Sequence, residues 1–250
     1  MPDAILAALA LPGAGVVAGA ALVAGFVYGF AGFGASLVYM PVAGLVLGPE
    51  AAVVTFVLSG LGALVSVLPG ALRIADRRGL ATTLAGAIAL LPVGLVILTT
   101  VDPVPLRWAV CTIIAATLVA LAFGWRYQTR PHWSARLGVG VTTGVLGGAT
   151  GLMSPILILF HLSGDRPPRE IRAETGAFLA ILNAALLPGL WWRGVVSAEL
   201  LWLGLLLLPL YTLGSWAGTA AFTPASGPRY RPFAYAVVAG SVLIGLPIFD

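Results

Sequence analysis

Two serines, Ser36 and Ser154, each follow a cluster of glycines inside a long apolar stretch. The first cluster reads Gly25-x3-Gly29-x2-Gly32-x-Gly34, and 119 positions later the spacing returns as Gly144-x3-Gly148-x2-Gly151. Glycine permits a backbone turn and the close approach of a ligand. A helix that begins inside a membrane presents unpaired N–H groups and the positive end of its dipole, which suits an oxyanion. Gly32, Gly34, Ala35 and Ser36 in the first copy, with Gly151, Met153 and Ser154 in the second, are therefore candidate substrate-binding positions. The plainer alternative is that the serines bond back to carbonyls of their own helices. Glycines four apart would then serve only to let helices approach closely.

Asn183, the sole asparagine, falls well inside an apolar segment, where an amide needs polar partners; contact with substrate and a helix-to-helix hydrogen bond explain it equally well. Thr55, Ser59 and Thr150 are further candidates, each open to the same back-bonding alternative, as is Thr175. Glu50, Glu174, Glu199 and His161 stand near segment ends and are candidates to carry a proton during coupled transport. At such interfaces water is expected to solvate them. Glu174 is expected to pair with Arg169 or Arg172, and no arginine is evident deep in a span. Cys111 is the only cysteine, and His132 and His161 lie far apart with no HExxH pattern, so neither a metal nor another cofactor is expected. No Ser/His/Asp arrangement or deep acidic pair is visible, which argues against an enzyme.

These residues must be positioned by membrane helices. Sixty per cent of the 250 residues are apolar and nine per cent charged, with a mean hydropathy of +1.04, outside the range of soluble domains. The apolar runs are continuous and not alternating, which excludes a transmembrane barrel and leaves an all-α polytopic membrane protein. Residues 1–11 carry Asp3 and no basic region, so no cleaved signal peptide is expected. Apolar segments fall near 14–31, 35–48, 51–69, 80–100, 104–124, 136–151, 153–163, 174–190, 197–221 and 232–248. At about 1.5 Å per residue the second and seventh rise only about 20 Å or less, short of a hydrocarbon core of about 30 Å. They read as half-spans, strongly tilted helices or re-entrant pieces.

The segments divide into two repeats of five, residues 1–125 and 126–250. An odd number per half inverts the second repeat relative to the first, the plan of many secondary transporters. The arginines set orientation. Arg73, Arg77 and Arg78, then Arg126, Arg130 and Arg136, then Arg166, Arg169 and Arg172, and finally Arg229 and Arg231 all fall on one side, which the positive-inside rule makes cytoplasmic, with both termini outside. Arg107 and Arg193 are exceptions near outer ends, beside Trp108, Trp191 and Trp192. Positive charge confined to a few loops reports orientation and not nucleic-acid binding.

The segment Gly25-Phe-Val-Tyr-Gly29-Phe-Ala-Gly32-Phe-Gly34-Ala-Ser36-Leu-Val-Tyr-Met-Pro41 resembles the sulfite exporter TauE/SafE family, also called the 4-toluene sulfonate uptake permease family. Gly144-Val-Leu-Gly-Gly148-Ala-Thr-Gly151-Leu-Met153-Ser154-Pro155 resembles its repeat. Against the family pattern, Ala35, Ser36, Met153 and Ser154 replace glycines, and Phe160 stands where a proline would be. The resemblance implies a secondary transporter, exporter or permease, of sulfite, organosulfonates or related small sulfur-containing anions in the cell (inner) membrane. Its partners would be the lipid bilayer, a small anionic substrate and a coupling proton or ion. Another small anion or a metabolite such as a carboxylate is the alternative substrate, and a non-transporting membrane subunit the alternative class.

Overall fold

The computed structural model describes residues 10, 11, 13–123, 132–161 and 167–222. The expected tenth segment, the junction between the two halves, and Arg126, Arg130, Arg166, Arg229 and Arg231 lie outside the described residues. Everything described is helix or connection: α1 (Ala14–Ala31), α2 (Ala35–Leu47), α3 (Pro49–Gly60), α4 (Ala63–Ser66), α5 (Leu68–Ala71), α6 (Arg77–Thr100), α7 (Pro103–Ala122), α8 (Trp133–Thr150), α9 (Pro155–His161), α10 (Pro168–Trp192) and α11 (Ala198–Ala221). Among the described residues five stretches are long and apolar enough to cross a membrane, namely Ala14–Ala31, Pro49–Ser66, Arg77–Thr100, Arg169–Trp192 and Ala198–Ala221. The chain is an all-α, multi-span membrane protein.

Local sequence explains where the helices begin and end. Asp76 caps α6 by accepting from the Arg78 N–H, and Ser197 caps α11 by accepting from the Leu200 N–H. Pro49 and Pro168 open α3 and α10, at the one end of a helix where a missing N–H costs nothing. α1 stops at Gly32 (φ 78°) and α8 at Gly151 (φ 73°), and in each case the glycine N–H closes back on the last turn, to the Tyr28 and Gly147 carbonyls. That left-handed ending is the one glycine supplies without a Cβ clash. The third expected segment is not one helix: it breaks after Gly60 into α3, α4 and α5. α2, with 13 residues, rises about 20 Å, short of a full crossing, and the described part of α9 has seven residues and rises about 10 Å.

Glycines set two close helix crossings. Gly25 and Gly29 of α1 lie against the backbone of Tyr211 and Ser215 on α11, while Gly214 and Gly218 of α11 lie against Leu22 and Phe26 of α1. In the same way Gly140, Gly144 and Gly148 of α8 meet Thr83, Ala87 and Leu91 of α6. A Cβ at any of these positions would collide with a facing carbonyl, so the helices touch backbone to backbone. The glycine motif therefore divides in two. Gly25, Gly29, Gly144 and Gly148 pack helices, whereas Gly32, Gly34 and Gly151, all at positive φ, interrupt them.

α2, α3 and α10 supply much of the interior, with Leu37, Tyr39, Val57, Phe178, Leu182 and Leu186 fully enclosed. Val16 and Val23 on α1, Val93 and Val96 on α6, and Leu213 and Trp216 on α11 point outward, an apolar exterior that suits lipid. Trp108, Trp191 and Trp192 are also exposed, beside Arg107 and Arg193.

Candidate functional site

The two interruptions meet. Gly34, at φ 87°, starts α2 with no side chain capping its first turn. The N–H groups of Ala35, Ser36 and Leu37 are thus among the donors that a helix start leaves without an intrahelical partner. Across from them Gly151 turns the chain out of α8, and Leu152, Met153 and Ser154 lead into α9. The Ser36 and Ser154 Oγ atoms lie 3.3 Å apart, both buried, and neither hydroxyl bonds back to its own helix.

A cavity opens at this junction. Of the candidates read from sequence, Gly34, Ala35, Ser36, Met153, Ser154 and Asn183 line it. Asn183 Nδ2 donates to the Val57 carbonyl at 2.9 Å, and its Oδ1 is buried without a hydrogen-bond partner. Gly60 makes room for that amide, since a Cβ there would stand 2.7 Å from Nδ2. The free volume open to the centre of a water molecule is about 20 Å³, room for one or two waters. A larger solute enters only if the walls part.

Five candidates lie off the cavity wall. Thr55 donates to the Ala51 carbonyl at 2.7 Å and accepts from the Tyr39 hydroxyl at 2.9 Å. Ser59 bonds back to Phe56. Thr150 donates to the Leu146 carbonyl and accepts from the Leu152 N–H, bracing the second interruption from behind. A Cβ on Gly32 would strike Arg172, and one on Gly151 would strike Met40. These two glycines shape the turns and do not face the opening.

Sequence reasoning missed Tyr28, Phe56, Gly60, Ala63, Leu179, Ala180 and Tyr211, which complete the lining. Tyr28 sits inside the first glycine motif and donates to the Gly176 carbonyl at 2.6 Å, tying the end of α1 to α10. Its place one turn before Gly32 was a usable signal. Tyr211 approaches because Gly25 lets α11 in, a relation that no local spacing contains. Among the described residues no charged one lines the cavity; the polar side chains they contribute are hydroxyls and one amide.

A family model for the sulfite exporter TauE/SafE matches residues 17–245 and so spans both interruptions and the whole cavity lining. The chain belongs to the sulfite exporter TauE/SafE family. No curated protein and no solved structure matches it. TauE/SafE proteins are membrane transporters and not enzymes. Among the described residues no group of His, Cys, Asp and Glu could hold a metal ion.

Behind the cavity, this TauE/SafE chain departs from the sequence expectation about charge. Arg172 reaches inward, its guanidinium donating to the Gly29 carbonyl and lying 4.4 Å over the Phe222 ring. Glu174 pairs with neither Arg169 nor Arg172 but with Arg136, whose Nη1 lies 2.6 Å from Oε1. Arg136 also approaches Asp76 at 3.5 Å, and Gly79 leaves the space its guanidinium fills. His161 Nε2 is 3.5 Å from Glu174 Oε1, and its Nδ1 is 2.7 Å from the Thr175 hydroxyl. Glu174 and His161, expected at a wetted interface, are 1% and 5% exposed. The reason is tertiary: α6, α8, α9 and α10 converge on this point.

Proposed function

We propose that this TauE/SafE chain is a secondary transporter of small sulfur-containing anions, sulfite or an organosulfonate, that works by alternating access between two inverted halves, residues 1–125 and 126–250. The observation that carries this reading is the Ser36–Ser154 pair, which joins matched interruptions of the two halves at one cavity. The packing supports it. The first segment of each half lies on the fourth segment of the other, α1 on α11 and α8 on α6, through glycines in both cases. An exchange of that kind is what a pseudo-two-fold arrangement produces.

In this reading Gly32, Gly34 and Gly151 turn the backbone, and the N–H groups at Ala35 and Ser36 with the hydroxyls of Ser36 and Ser154 receive the anion's oxygens. Met153 and Asn183 shape the pocket, while Thr55, Ser59 and Thr150 hold its supports. Neutral donors favour a singly charged anion, because no fixed charge offsets the cost of desolvating a second one. The contracted cavity is an occluded or resting arrangement, and rocking of one half against the other opens it. The protein would sit in the cell (inner) membrane with the basic loops cytoplasmic and both termini outside. No nucleotide-binding motif supplies energy, so a gradient of ion, potential or substrate drives movement.

Uptake into proteoliposomes of sulfite, sulfoacetate, thiosulfate and a carboxylate tests the proposal. Saturable movement of sulfite, which is partly the singly charged bisulfite near neutral pH, ahead of the doubly charged sulfoacetate and thiosulfate and ahead of the carboxylate is expected. Selective cation transport, or no movement of any sulfur oxyanion by folded protein, overturns it.

A further inference from the structure

The geometry points to a proton-binding site at His161 and Glu174, mechanically joined to the anion cavity through α9, that couples proton movement to anion movement; this rests on the transport reading above. The described part of α9 has seven residues. Ser154, on the cavity wall, immediately precedes its first residue, and His161 is its last described one. A change at one end of so short a rod, about 10 Å long, is felt at the other.

The cluster is built to hold one more proton than it shows. With the Thr175 hydroxyl donating to Nδ1, the neutral ring carries its proton on Nε2, which lies 3.5 Å from Glu174 Oε1 without a hydrogen bond to it. A proton delivered by water adds to the Nδ1 lone pair, and the Thr175 hydroxyl turns from donor to acceptor. No heavy atom has to move. The imidazolium formed then competes with Arg136 for the same carboxylate oxygen, because Oε1 is the contact of both. Release of the proton to water removes the imidazolium's claim on that oxygen and leaves the Arg136 contact in place. Each exchange alters the grip among α8, α9 and α10, and Asp76 extends the linkage to the start of α6.

Other charges on the surrounding elements are placed differently. Arg77 and Arg78 on α6 and Arg169 on α10 are exposed, and Glu170 is half-buried one turn before Glu174. Arg172 is directed to Gly29, and Arg107 on α7 lines a separate pocket with Met40, Pro49 and Cys111. Intramembrane ionisable residues that are buried and mutually paired are the usual components of proton relays.

The test uses the full-length protein in proteoliposomes with methanesulfonate, which stays a monoanion across the pH range and so reports only the protein's proton. Wild type should show uptake driven by an imposed pH gradient. His161→Gln and Glu174→Gln should lose that response while keeping anion exchange at equal pH, and His132→Gln should retain it. Retention of the gradient response in both cluster variants overturns the proposal. If these variants fail to fold, wild type decides: anion transport that is indifferent to pH on both sides overturns the coupling and leaves the transport reading standing. If wild type moves no anion, the transport reading has failed, and the histidine is followed alone. Nitrogen NMR in the His132→Gln background should then show His161 taking up a proton when the sample is acidified; a single protonation state throughout overturns the proton site as well.

Discussion

The Ser36 and Ser154 hydroxyl oxygens, 118 residues apart in the chain, lie 3.3 Å from one another at the point where two interrupted helices meet. A buried serine ordinarily returns its proton to a carbonyl one turn back, as Ser59 and Thr150 do here. Ser36 and Ser154 instead face each other because each stands at a helix start, where the preceding glycine has taken the backbone out of line. In the proposed transport cycle an anion entering between them would replace one weak hydroxyl pair with two donors.

Replacing Ser36 or Ser154 with alanine should therefore weaken anion binding by about 0.5–1.5 kcal/mol each, the net value of one hydrogen bond. The double variant should lose more than the sum, because each single change is partly offset by no longer having to break the shared contact on binding. Binding measured by thermal shift or calorimetry on folded protein checks this. Unchanged affinity in both single variants would leave the backbone N–H groups as the donors.

Gly34→Val and Gly151→Val should abolish transport while membrane insertion persists. Both glycines have positive φ, at 87° and 73°, where a β-branched residue is strained, and a Cβ at Gly151 would also meet Met40 Sδ at 2.8 Å. Gly19→Val is the control, since nothing lies within 4 Å of a Cβ there. Flux and membrane yield, compared across the three, separate a lost turn from general damage.

Charge selection follows from the lining. With hydroxyls, an amide and backbone donors but no cation on the wall among the described residues, methanesulfonate should compete for uptake better than sulfate. The second charge of sulfate would enter with nothing to offset its lost hydration. Sulfate competing equally well would require a cation at the site.

Arg136→Ala should destabilise the protein by about 3–5 kcal/mol, because it removes one partner of a buried ion pair with Glu174. Adding Glu174→Gln should recover much of that loss. Thermal unfolding in detergent of the single and double variants is the measurement. A double variant no more stable than Arg136→Ala would show that the ion pair is not the origin of the effect.

Orientation is tested with Cys111 replaced by serine and single cysteines introduced as Arg77→Cys and Asp102→Cys. Impermeant thiol reagents should reach the first only from the cytoplasmic face and the second only from outside. The opposite labelling would invert the orientation drawn from the arginines.

The sequence by itself determined the class of the protein and the two glycine-marked places where its helices break, though not the break after Gly60. Continuous apolar runs leave the backbone no partner in lipid except itself, which requires helices. A glycine cluster before a short apolar run marks an interruption, because only glycine adopts the left-handed turn without strain. Gly34, Ala35, Ser36, Met153 and Ser154 were legible for that reason, each within a few residues of such a turn. What only the tertiary structure decided is who meets whom. Gly25 and Gly32 belong to one motif and one spacing, yet one admits α11 and the other ends α1; the difference lies in the helix opposite. Arg136 reads as one more loop cation until α6, α8, α9 and α10 are brought together around Glu174. Local spacing encodes the turn of a backbone, while burial and ion pairing depend on surfaces contributed by distant parts of the chain.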